Sequence, residues 1–192
     1  GRYADRRRPP TRNGDVSNPP EFSHIVTLGD AAHGRPIALE ANPEARARIA
    51  RRLELIELSQ FAVTAEIHAI AGGIAAKGEV RAKLVQRCAA TDLPVPATLT
   101  ETFDLRFLHD IDAPADDMEE VEISSEDCET LPLEGDRIDL GEAAVQTLSL
   151  GLDPFPRHPD AARILAEKGV LSEEAAGPFA ALAKLRAEKP AS

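Results

Sequence analysis

With 192 residues, 43% of them apolar, the chain is long enough to bury one core and too short for two full domains. It has no Trp, one Tyr and six Phe, so a core must be packed mainly from Leu, Ile, Val and Ala. Two Cys exclude a disulfide framework and a four-sulfur zinc site, and a net charge of −11 argues against a nucleic-acid partner until its distribution is read.

That distribution is uneven. The stretch Asp110 to Asp136 holds twelve acidic residues and no basic one, which leaves the rest of the chain nearly neutral, with its own clusters of arginine. No run of about 18 apolar residues exists, and the first residues lack the apolar segment of a secretory leader, so a cytoplasmic protein without membrane contact is expected.

In chain order, residues 1–20 carry Arg2, Arg6, Arg7, Arg8 and Arg12 among prolines and almost no apolar residues. They read as a mobile basic arm, either a solvated tail or a contact for an acidic surface. Phe22, His24, Val26 and Leu28 alternate with polar or outward positions, the pattern of a short strand with one buried face; His24 is a structural residue of that strand. Asn42-Pro43-Glu44 is a helix start, with a cap, a first-turn proline and an acid at the positive end of the dipole. The helix is expected over about 43–55, with Ile49, Leu53 and Ile56 on its apolar face. Arg46, Arg48, Arg51 and Arg52 lie off that face, as phosphate contacts or as a solvated surface offset by Glu44, Glu54 and Glu57.

Period-two alternation then predicts antiparallel hairpins with strands at about 58–70, 78–88 and 97–109. Phe61, Val63, Ala65 and Ile67 share the buried side of the first, and His68 falls on its polar side. Gly72-Gly73 marks a turn and Lys77-Gly78 is expected to mark a second. In the next strand Val80, Ala82 and Leu84 face one way and Arg81, Lys83 and Arg87 the other; in its partner, Leu99, Phe103, Leu105 and Phe107 oppose Thr98, Thr100, Thr102, Asp104 and Arg106. The connection between them bends at Cys88 and is stiffened by Pro94 and Pro96, which cannot donate ladder bonds.

Residues 110–136 read as a long mobile acidic loop. Asp139 and Glu142 then start a helix over about 139–152 that buries Val145, Leu148 and Leu152 and stops before Asp153-Pro154. A proline-spaced segment follows, then short helices at Asp160–Lys168 and Pro178–Glu188, the latter aligning Phe179, Leu182 and Leu185. The expected architecture is an α+β single domain over 21–155, an antiparallel sheet packed by helices 43–55 and 139–152, with a basic arm (1–20) and a C-terminal helical tail (156–192). A monomer is favoured.

Catalytic chemistry is not apparent. Cys88 has no local Cys-His signature, His109 and His158 are isolated, and the paired carboxylates sit in a loop where fixed geometry is not expected. There is no glycine-rich phosphate loop and no metal-spaced cluster. No enzyme, cofactor or metal is therefore expected from these residues.

Three ordered segments resemble the large ribosomal RNA subunit accumulation protein family, YceD. They are Leu84-Val85-Gln86-Arg87-Cys88 leading to Leu93-Pro94-Val95, with Val85 in place of the family's first cysteine; Ile138-Asp139-Leu140 with Val145, Leu148 and Leu150-x-Leu152-x-Pro154; and Gly177-Pro178-Phe179-Ala180-Ala181-Leu182-Ala183-Lys184-Leu185. The resemblance implies a role in 23S ribosomal RNA synthesis, processing or stability, and carries over no catalytic residue. Some relatives have further cysteines where this chain reads PFPRHPDA, so no metal site is expected. The resulting expectation is a non-enzymatic factor that contacts pre-ribosomal RNA, or an assembly protein of the large subunit. Candidate RNA contacts are Arg46, Arg48, Arg51, Arg52, Arg81, Lys83 and Arg87. The alternative is an adaptor that binds a basic ribosomal protein through the acidic loop and docks a partner through Phe179, Leu182 and Leu185.

Overall fold

The computed structural model describes residues 20–109 and 128–169. Its elements are β1 (Ile25–Thr27), α1 (Leu28–Ala32), β2 (Pro36–Glu40), α2 (Pro43–Arg52), β3 (Glu57–Ile70), β4 (Gly73–Arg87), β5 (Pro94–Leu108), β6 (Glu129–Pro132), β7 (Arg137–Asp139), α3 (Leu140–Gly151) and α4 (Ala161–Glu167). Five strands form one sheet in the order β2-β3-β4-β5-β6, and β1 pairs with β7 in a separate ribbon. The expected α+β architecture is present, but the sheet is mixed and not purely antiparallel: β6 joins it parallel to β5, pairing Leu105–Leu108 with Glu129–Pro132. The acidic stretch, expected as loop to Asp136, thus ends in sheet structure. A four-residue strand with no alternating pattern of its own gives little local signal.

The sheet has one covered and one bare face. In β3 the alternation buries Phe61, Val63, Ala65 and Ile67, and in β4 it buries Val80, Ala82 and Leu84, each 5% exposed or less. These side chains form one core with Ile49 of α2 and with Leu140, Val145 and Leu148 of α3. Side chains of opposite parity, among them Thr64, Glu66, Lys77, Arg81 and Lys83, are exposed on the other face. The helices therefore form one layer and the sheet the second, and water covers the outer sheet surface.

Local chemistry explains most boundaries. Asn42 Oδ1 accepts the Ala45 amide at 2.8 Å and Pro43 occupies the first turn, as expected for α2. The helix nevertheless ends at Arg52, earlier than its apolar pattern suggests. Glu54 takes φ +55°, and the amide of Ile56 donates to the Val85 carbonyl at 2.8 Å, so the chain is already joining the sheet. Ile56 consequently lies off the helix face and is 42% exposed.

The hairpin β3–β4 turns at Ala71-Gly72, where Gly72 has φ +76°, a conformation open to glycine at little cost. The expected second turn at Lys77-Gly78 is absent: both residues lie within β4, pairing with Glu66 and Ala65. A Cβ on Gly78 would collide with the Thr64 carbonyl and come within 2.8 Å of the Phe103 ring. Glycine there serves close approach of neighbouring chains and not reversal.

The N-terminal segment is fastened to the later half of the chain. Val26 pairs with Ile138 across the β1–β7 ribbon, and the Leu140 amide donates to the His24 carbonyl at 2.9 Å. Asp139, the N-cap of α3, accepts the amides of Glu142 at 3.1 Å and His24 at 2.9 Å, and the Ser23 hydroxyl at 2.6 Å. One side chain thus caps a helix and holds a strand. The short α1 has its own capping box, in which Thr27 and Asp30 exchange side-chain and backbone bonds; hydrogen bonding from Thr27 lowers the Asp30 pKa.

Candidate nucleic-acid interface

On the bare sheet face, β4 presents Arg81, Lys83 and Arg87 to water because β-strand parity sends alternate side chains to opposite sides. Cross-strand partners place Ala62 and Thr100 beside Arg81, and Gln60 and Thr98 beside Lys83. The Arg81 guanidinium is held by the Glu79 carboxylate, while its side chain remains 69% exposed. At the bulge between Leu58 and Gln60, the Ser59 hydroxyl donates to the Lys83 carbonyl at 3.1 Å. A shallow depression of about 300 Å³ opens there, with Glu57, Ser59, Lys83, Pro96 and Thr98 among its walls. Farther along the same face, Lys77 pairs with Asp104 at 3.5 Å. The cations toward the hairpin end are therefore set among hydroxyls and an amide, with Glu57 and Glu79 as the neighbouring carboxylates.

The arginines of α2 lie in the helix layer, on the opposite side of the sheet, and are differently engaged. Arg46 donates to the Ala41 carbonyl at 2.8 Å, and Arg48 to Glu44 at 3.0 Å and the Glu21 carbonyl at 3.4 Å. Arg52 binds the Glu142 carboxylate through two nitrogens at 2.7 and 2.8 Å, and Glu21 at 2.9 Å. The hydrogen bond from Arg52 depresses the Glu142 pKa, and the same bond raises that of Arg52. Arg52 ties α2 to α3 and to the N-terminal segment, and few of its donors are left for a ligand. Of the α2 set, Arg51 projects to solvent as an exposed residue. The seven cations singled out from sequence are thus divided between two faces and do not form one surface.

A third feature was not legible from sequence. Residues 153–158, which run from the end of the expected domain into the expected C-terminal tail, strap across the end of the β4–β5 hairpin. Gln86 Nε2 donates to the Asp153 carbonyl at 2.9 Å, the Ala89 amide to the Pro156 carbonyl at 2.8 Å, and the His158 amide to Cys88 Sγ at 3.4 Å. Cys88 is buried, and the amide of His158, then the Thr91 hydroxyl and the amides of Ala90 and Thr91, lower its thiol pKa to about 7. The only sequence signal for the strap is the spacing of Pro154, Pro156 and Pro159, which stiffens the segment without saying where it goes.

Among the described residues, no three His, Cys, Asp or Glu side chains gather as a metal ion would require. No helix among them is long and apolar enough to cross a membrane. The basic arm, the acidic residues 110–127 and the tail candidates Phe179, Leu182 and Leu185 lie outside the described residues. The family model described as "Large ribosomal RNA subunit accumulation protein YceD" matches residues 76–186. No curated protein and no solved structure matches the chain.

Proposed function

The chain belongs to the large ribosomal RNA subunit accumulation protein YceD family, and from that membership we propose that it supports the accumulation of large-subunit ribosomal RNA by binding, not catalysis, with pre-ribosomal RNA as its direct partner. The observation that carries this reading is the match over residues 76–186, which takes in most of β4 and all of β5 and α3 and so contains Arg81, Lys83 and Arg87. Guanidinium and ammonium groups standing among hydroxyls suit phosphate oxygens, and such contacts draw affinity from released counterions. The overall negative charge slows a general attraction to RNA, so local contacts must supply the binding.

Ultraviolet crosslinking in cells, followed by identification of both the RNA and the protein bound, tests the proposal. Large-subunit ribosomal RNA should be recovered on peptides from β4 and β5. Recovery of a basic ribosomal protein without RNA would instead establish the adaptor reading, in which the acidic stretch and the tail carry the contact.

A further inference from the structure

We propose that the bare sheet face around Lys83 takes base-paired RNA by its sugar-phosphate backbone and does not read unpaired bases; this rests on the reading that ribosomal RNA is the direct partner. Arg81, Lys83 and Arg87 share one side of one strand. At about 3.4 Å per residue, they stand about 7 and about 14 Å apart, a line of cations along one edge of a duplex backbone. Arg81 is anchored by Glu79, which fixes its position, and Lys83 stands at the wall of the depression at the Ser59 bulge. The flanking Thr98 and Thr100 hydroxyls are both donors and acceptors, so they can meet phosphate oxygens and ribose 2′-hydroxyls alike, and Ser59, whose hydroxyl donates to the Lys83 carbonyl, can accept from a 2′-hydroxyl.

Aromatic placement separates the two forms of RNA. Protein surfaces that hold unpaired bases do so by stacking them on rings. Here Phe61, Phe103 and Phe107 are buried on the covered side of the sheet, and Phe22 packs edge-on against Phe61 with ring centroids 5.4 Å apart. Phe155, 73% exposed, belongs to the strap across the hairpin end. Among the described residues the aromatic ring on the bare face is that of His68, which pairs with Ala75 at the far end of the strands, eight residues along β4 from Lys83. Around Lys83 the groups presented are cations, hydroxyls, an amide, Pro96 and the carboxylates Glu57 and Glu79, which contact a backbone and offer bases no aromatic stack. Those two carboxylates hold the affinity down, while the cation–phosphate contacts make it fall with salt.

The test is fluorescence anisotropy of the full chain at low salt with three probes: two fully paired RNA duplexes of unrelated sequence, and one of their single strands. Both duplexes should bind alike and several-fold more tightly than the strand. Reversing two charges, Lys83→Glu with Arg87→Glu, should weaken duplex binding at least tenfold and flatten the salt slope by about two. An Arg48→Glu, Arg51→Glu variant, altered on the opposite side, should stay within twofold of the parent. Urea midpoints equal to the parent's certify that both variants fold. Preference for the single strand, dependence on duplex sequence, or unchanged binding by the β4 variant overturns the inference. If crosslinking in cells still recovers ribosomal RNA in any of those cases, the proposed function survives its loss; if only protein is recovered, both fall.

Discussion

Arg52 on α2 and Lys83 on β4 each carry one positive charge and each stands out in the sequence as a candidate RNA contact, yet their surroundings differ. Arg52 spends its guanidinium on Glu142 and Glu21, binding partners that lie 90 and 31 residues away in the chain. Lys83 has a serine hydroxyl on its backbone carbonyl and threonine beside its side chain, which leaves its ammonium group to the solvent. The helix layer thus uses Arg52 to hold elements together, and the bare sheet face leaves Lys83 to the solvent while pairing Arg81 with Glu79 and Lys77 with Asp104. The difference teaches that the count of cations in an element says little about which of them can meet a ligand.

The strongest way to break this comparison is to remove Arg52. Charge-assisted hydrogen bonds contribute about 1.5–3 kcal/mol each, and with the side chain 35% exposed solvent screening reduces the effect, so Arg52→Ala should cost about 1–2 kcal/mol in urea unfolding. Lys83→Ala should change stability by less than about 0.5 kcal/mol. Equal losses for the two variants would erase the distinction. Lys83→Ala should in turn weaken duplex RNA binding about threefold to tenfold in the same anisotropy assay, a change of about 0.7–1.4 kcal/mol, whereas Arg48→Ala leaves it unaltered.

Acidity sharpens the contrast further. Because Arg52 depresses the Glu142 pKa below 4.5, the pair contributes stability above that value and loses it as pH falls through the lower folded-state pKa. Urea midpoints of the parent and of Glu142→Gln should therefore differ at neutral pH and converge in acid. No such convergence is expected for Lys83→Ala. Parallel curves for Glu142→Gln down to the acid limit would show that the bidentate contact is not the source of its effect.

A further pH-dependent change concerns the strap. Hydrogen bonds to Cys88 Sγ depress the thiol to about 7 from an ordinary 9.0, so its thiolate adds stability that is complete above pH 9, and that stability fades as pH falls through about 7. Stability of the parent should rise between those limits relative to Cys88→Ala. A flat difference across that range would mean that the His158 amide and the Thr91 and Ala90 groups around Cys88 Sγ do not favour the thiolate.

Much of this arrangement is written in short-range pattern. The Asn42 cap with Pro43, the Asp139 cap with Glu142, the alternation in β3 and the division of β4 into Val80, Ala82, Leu84 and Arg81, Lys83, Arg87 follow from propensity and parity alone. Other features leave weaker local traces. In α1 and β2, five residues each, the pattern is too brief for the period to declare itself, although Thr27-x-x-Asp30 is a capping signal in hindsight. Gly78 has the composition of a turn and the position of a packing contact, and only the neighbouring Thr64 and Phe103 distinguish the two.

By itself, then, the amino-acid sequence determined the fold class, the central hairpins, the family and the residues that face outward from β4, because each depends on residues close together in the chain. Tertiary structure decided which arginines are occupied, that β6 closes the sheet in parallel, that residues 153–158 strap Cys88, and that the α2 and β4 cations occupy opposite sides. Those outcomes depend on pairings between residues distant in sequence, where geometry, charge and burial are settled only once the core has brought the elements together.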